Sequence, residues 1–102
     1  MLIVFTTAPN VSEAEALAQK IVEAKLGACV QVLPRMRSFY RWNGKVQSDP
    51  EHLLLIKTLP ERFADLEAFI RSNHSYEVPE IIAVRSESVS EGYLNWVTDS
   101  LR

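Results

Sequence analysis

Asn43-Gly44 sits between Ser38-Phe39-Tyr40-Arg41-Trp42 and Lys45-Val46, and that arrangement dictates a hairpin. A type I′ turn needs positive φ at both central residues, and Asn-Gly meets that need at low cost. The flanking arms read as extended from about Ala28 to about Thr58. At roughly 3.3 Å per residue each arm spans on the order of 45 Å. A compact domain of about 100 residues has a radius of gyration of only ~13 Å. Part of the hairpin must therefore project, and its tip carries Phe39, Tyr40 and Trp42. Three exposed aromatics at the end of an arm call for a partner surface, and a second copy of the chain is the simplest one.

The rest of the chain is set around this arm. Leu2 to Phe5 is a continuous apolar run, suited to an inner strand. Ser12 with Glu15 predicts a capping box opening a helix, whose apolar face is Ala14, Leu17, Ala18, Ile21 and Ala24 and whose end is Gly27. Ala28 to Leu33 is the next strand. Pro34 and Pro50 both lack an N–H and are expected to break the arm into two ladders in series. Counting from the turn, Trp42 opposes Lys45 and Tyr40 opposes Gln47. His52 to Thr58 returns as a strand, and Pro60 starts a second helix that buries Phe63, Leu66, Phe69 and Ile70 and ends at Ser72–Ser75. Pro79 leads to a last strand over Glu80–Val84, and Ser90 caps a closing helix.

This order is βαββαβ plus a helix: one α+β domain over residues 1–102, a ferredoxin-like sandwich with a long hairpin between its second and third strands. In that plan the helices cover one face of the sheet. Leu53-Leu54-Leu55-Ile56 is apolar on both faces, so the bare face also asks for burial by self-association.

Composition narrows the function classes. The chain has 102 residues, 47% of them hydrophobic, with 11 basic and 13 acidic side chains and a net charge of −2. No global field calls for nucleic acid or an anionic membrane. The one local bias is Arg35, Arg37, Arg41 and Lys45 along the hairpin. Cys29 is the sole cysteine, which rules out an intrachain disulfide and points to a reducing compartment. The apolar run at Leu2–Phe5 is too short for a signal segment or a membrane span, so a cytoplasmic protein is expected.

Several motifs in order now resemble one family. They are Gly27-Ala28-Cys29, Tyr40-Arg41-Trp42-Asn43-Gly44-Lys45-Val46, Glu51 with Leu54-Leu55-Ile56-Lys57-Thr58, His74-Ser75-Tyr76-Glu77-Val78-Pro79-Glu80-Ile81 and Tyr93-Leu94-Asn95-Trp96. Over essentially the whole chain the pattern resembles the CutA divalent-cation tolerance family. The resemblance implies a homotrimer of ferredoxin-like subunits akin in architecture to the PII proteins, each hairpin tip reaching a neighbour. It implies binding of copper or other divalent ions, a role in metal-ion homeostasis, and no catalytic activity. Ser75 departs from the pattern, standing where the family motif has proline, which loosens the turn that would hold His74.

Chemistry-bearing residues are few. Cys29 offers a soft thiolate for Cu(I) or Zn, or serves as a small hydrophobe at a strand start. His74 offers an imidazole to Cu(II), or a cap for the second helix. Neither belongs to a His-x-x-x-His or Cys-x-x-Cys motif, so a metal site must be assembled by the fold or across subunits. Lys57, Tyr76 and Glu80 all fall near strand ends. They mark either an interface register or a cleft for a small anion, nucleotide or metal–ligand complex between subunits, the PII-like alternative. An RNA-recognition domain would want aromatic and basic residues where Leu53–Ile56 stands. No triad, paired-carboxylate site or P-loop is present.

Overall fold

The computed structural model describes Met1–Arg102. Its elements are β1 (Leu2–Ala8), α1 (Val11–Glu23), β2 (Cys29–Val32), β3 (Met36–Trp42), β4 (Lys45–Thr58), a 3-10 turn over Pro60–Arg62, α2 (Phe63–Asn73), β5 (Ile82–Arg85) and α3 (Glu91–Ser100). The sheet runs β2-β4-β1-β5 with antiparallel neighbours, and β3 pairs with the first half of β4. This is the split βαβ, ferredoxin-like α+β plan.

Asn43 and Gly44 take φ of 51° and 75°, as a type I′ turn requires. Trp42 faces Lys45 and Tyr40 faces Gln47, in the expected register. The two ladders in series are present: Cys29–Val32 on Lys57–Leu54, then Met36–Trp42 on Glu51–Lys45. Only Pro34 separates them, since β4 runs unbroken through Pro50, which pairs with Arg37. The turn itself explains this. A two-residue turn makes Trp42 and Lys45 a hydrogen-bonded pair, and pairs alternate from there. Arg37 and Pro50 then form a non-hydrogen-bonded pair, whose proline nitrogen faces the ribbon's free edge and misses no bond. The molecule measures 45 × 26 × 23 Å with a radius of gyration of 14.2 Å, so the arm does project. Phe39 and Trp42 at its end are 71% and 63% exposed.

Helix α1 opens two residues earlier than Ser12 and Glu15 suggest. Asn10 is the cap, its Oδ1 accepting the Glu13 N–H at 2.9 Å while its Nδ2 donates to Glu13 Oε2 at 3.4 Å. Asn-x-x-Glu does the work expected of Ser-x-x-Glu, and the earlier start seats Ala14 in the core. Gly27 is not the C-terminal cap either. Lys25 takes the left-handed step at φ 57°, and Gly27 is needed for closeness. A Cβ there would lie 2.8 Å from Ile56 Cγ2 and 3.0 Å from Ile21 Cγ2, both side chains fully buried. Ser90 caps α3 as expected, accepting from the Tyr93 N–H.

One face of the sheet is dry. Leu2, Val4, Leu54 and Ile56 pack beneath Ala14, Leu17 and Ile21 of α1 and Leu66 and Ile70 of α2. At the sheet end, α3 sets Val97 and Leu101 on Ala28, Met1 and Leu59. The opposite face is bare. Register places Cys29, Lys57, Ile3 and Val84 in one row and Gln31, Leu55, Phe5 and Ile82 in the next. Ile82 and Val84 are 51% and 47% exposed.

Thr6 points into the dry side with its hydroxyl buried and unpartnered. Removing a buried orphan hydroxyl without changing shape recovers its desolvation cost. Thr6→Val should raise stability by about 1 kcal/mol, read as a higher urea midpoint at unchanged slope.

Candidate functional site

The last turn of α2 delivers His74. Asn73 ends the helix, and His74 turns extended at φ −99° and ψ 144°. Its Nε2 bonds the Thr7 carbonyl at 2.6 Å, and its Nδ1 accepts the Tyr76 N–H at 3.0 Å. Those two partners require a neutral ring with its proton on Nε2. They also explain why β5 starts at Ile82 rather than Glu80: beyond Phe5 the β1 backbone is engaged by His74.

Tyr76 packs on the His74 ring with centroids 4.7 Å apart, and its hydroxyl donates to Glu51 Oε2 at 2.8 Å. A second pair stands beside it, the Tyr40 hydroxyl donating to Asp49 Oδ2. Tyr76 is pushed well above the usual phenol range, first by desolvation and then by the Glu51 carboxylate. Tyr40 is raised chiefly by its bond to Asp49. The hairpin root thus holds two carboxylates, each covered by a tyrosine. Glu51 and Asp49 were not singled out for this role by sequence. The signal was available, because counting from Asn43-Gly44 sets Tyr40, Asp49 and Glu51 on one side of the ribbon.

Cys29 is half-buried on the bare face, directly across from Lys57. The Tyr93 hydroxyl lies against its thiol, and burial followed by the sulfur raises the Tyr93 pKa. Lys57 donates to Gln31 Oε1. Cys29 is therefore level with Ile3 and His74 with Thr7, four residues along β1, about 13 Å apart. The Tyr76 hydroxyl reaches Glu51, well along β4 from Lys57, and Glu80 is exposed two residues before β5. One chain thus leaves Cys29 apart from His74, and Lys57 apart from Tyr76. A cavity of about 160 Å³ opens on the helical side instead, between Pro9, Glu13, Lys20 and Asn73–Ser75. Ser75 ties this loop to α1 by donating to Glu13 Oε2 at 3.2 Å.

A metal centre within the subunit does not fit these residues. No three His, Cys, Asp or Glu side chains are grouped to hold an ion. Both His74 nitrogens are in use, and the Asp49 and Glu51 carboxylates are bonded by tyrosines. Of the two candidate ligands, Cys29 is the one whose donor atom stands on the bare face.

A projecting aromatic arm and a bare apolar face on a split βαβ core define the class of small ferredoxin-like α+β domains. Comparison with known proteins specifies the family. The profile of the CutA1 divalent ion tolerance proteins matches residues 2–100. The chain is 44% identical over 101 residues to the chloroplastic protein CutA of Arabidopsis thaliana, aligning 99% of itself with 56% of that protein. It thus spans little more than half of the plant relative's length. The solved structure of CutA1 from Oryza sativa superposes with a TM-score of 0.97 at 40% identity, over 99% of this chain and 93% of that one. The periplasmic divalent cation tolerance protein CutA from Archaeoglobus fulgidus superposes at 0.96 and 33% identity over the full length of both. The chain belongs to the CutA1 divalent ion tolerance family. No helix in it is long and apolar enough to cross a membrane.

Proposed function

We propose that the chain serves divalent-cation tolerance as a non-enzymatic homotrimer that contacts copper, or another divalent ion, between its copies. The bare face carrying Ile3, Phe5, Leu53 and Leu55, continuous with the aromatic side of the hairpin, is the observation that carries the reading. Donors scattered within one subunit can be gathered only by packing subunits together. Cys29 is the ligand to expect: its thiol stands on that face, and a thiolate favours copper. A reducing compartment such as the cytoplasm would keep it available.

Thermal unfolding under copper titration tests this. A bound ion should raise the midpoint in step with RT ln(1 + [L]/Kd). The rise should shrink in Cys29→Ser and persist in His74→Ala. Equal rises in all three proteins would remove Cys29 as a ligand. A PII-like sensor is the second reading, favoured by Lys57 and the Tyr76–Glu51 pair both standing on the bare-face side. A stabilising nucleotide or metabolite whose effect is lost in Lys57→Ala and indifferent to copper would select it.

A further inference from the structure

The cavity beside the His74 loop opens on the helical side, away from the bare face where copies and copper are proposed to meet. Its walls are α1 and the end of α2, and its floor is Ala8 and Pro9, where β1 runs out. A volume of about 160 Å³ equals the liquid share of roughly five water molecules, the bulk of a molecule of about six non-hydrogen atoms. Glu13 and Lys20 both line it. Seven residues apart, they share one face of α1 at a separation of roughly 10.5 Å along the axis. That is too far for the direct pairing seen at i and i+4.

Both charges are left over by the fold. Glu13 Oε2 accepts from Asn10 Nδ2 and Ser75 Oγ, which fixes the carboxylate and leaves Oε1 without a donor. Lys20 has Ala16 and Ala24 one turn away on either side, and Glu23, three residues on, is taken by Gln19 at 2.9 Å. The chain's one ion pair is Arg102–Asp99, so the Lys20 ammonium is unpaired. The end of α2 reinforces Glu13. No backbone N–H closes its last turn, and the partial charge of a helix C-terminus is negative. Ser75, two residues beyond, holds that end against Glu13.

We propose that this cavity binds a small free amino acid, its ammonium on Glu13 Oε1 and the α2 end, its carboxylate on Lys20, and its short carbon skeleton on Ala16 and Leu17. Charge-assisted bonds of about 2.8 Å at the two ends leave about 5 Å of the separation, which the ligand's own charged groups span. Selectivity comes from the pairing of opposite charges. An amine without a carboxylate meets Lys20 as a like charge, and a carboxylate without an ammonium meets Glu13 in the same way. Glu13 and Lys20 are exposed, so each contact is weak and the affinity falls in the millimolar range. The site is independent of the copper reading, since it shares neither Cys29 nor the bare face.

Amide chemical shifts of the isotope-labelled full chain, titrated in excess chelator with glycine, L-alanine and γ-aminobutyrate, test the site. At least one of the three should shift the amides of Glu13–Lys20 and Asn73–Ser75 saturably by roughly 10 mM, while those of Cys29 and Leu55 stay in place. Propionate and ethylamine, each carrying one of the two charges, should bind about tenfold more weakly or worse. Glu13→Gln, which keeps an oxygen for Ser75, and Lys20→Gln should each weaken binding by about tenfold, whereas Cys29→Ser should leave it unchanged. Circular dichroism checks that both variants fold. No saturable shift with any of the three amino acids overturns the proposal, as do shifts that saturate outside these two segments. Glutamine variants that bind like wild type, or single-charge probes that bind as tightly as the amino acids, overturn it equally.

Discussion

A chain carrying Leu55→Asp should fold and remain a monomer. Leu55 lies between Gln31 and Phe5 on the bare face, only half-buried in one subunit. An aspartate there keeps its water while the chain is alone, so folding is little affected. Assembly would strip that water away, and the one cation nearby, Lys57, is already engaged with Gln31. Burying an unpaired charge costs about 3 kcal/mol or more, a factor of roughly 100 in each contact. The neighbouring residue gives the opposite result. Leu54 points to the dry side and is fully buried, so Leu54→Asp should abolish folding rather than assembly. Light scattering and circular dichroism on the pair separate the two faces. A Leu55→Asp protein with the wild-type mass would mean that the bare face is not where copies meet.

How much of this was legible beforehand depended on whether the physics was local. The Asn43-Gly44 turn, the Ser90 cap and the alternation of Leu53 to Ile56 rest on neighbours in sequence, and all three are found as expected. Errors arose where local signals competed or where a distant residue decided. Asn10 and Ser12 both begin a capping pattern, and it is the Asn10 side chain that takes up the Glu13 N–H. Gly27 looks like a helix stop, yet its reason is Ile56, which a strand thirty residues later places against it. Pro50 looks like a break because its partner's hydrogen-bonding phase is invisible without counting from the turn. The candidate site was the least legible part. His74, Tyr76, Glu51 and Thr7 converge from three segments, and residue type alone suggests metal for a histidine whose two nitrogens are engaged by backbone.

Replacing that histidine should be costly even with no metal in the tube. In His74→Ala the Thr7 carbonyl loses its Nε2–H donor, and the Tyr76 N–H loses its acceptor. Thr7 is 5% exposed, so water is poorly placed to substitute there. Two orphaned backbone groups together cost about 2–4 kcal/mol. Set against a total of roughly 5–15 kcal/mol, that is a large share of the fold. The loss also frees Tyr76, whose ring packs on His74 and whose hydroxyl covers Glu51, so the hairpin root loosens with the loop. Tyr76→Phe isolates the second effect: it removes one exchangeable bond and should cost only about 1 kcal/mol. Urea unfolding in excess chelator gives the decisive reading. A ligand histidine would be silent there, showing its loss only when copper is added, whereas a backbone clamp shows its full loss with chelator present. If His74→Ala unfolds at the wild-type midpoint under those conditions, the clamp is energetically idle and the imidazole is free to bind an ion after all.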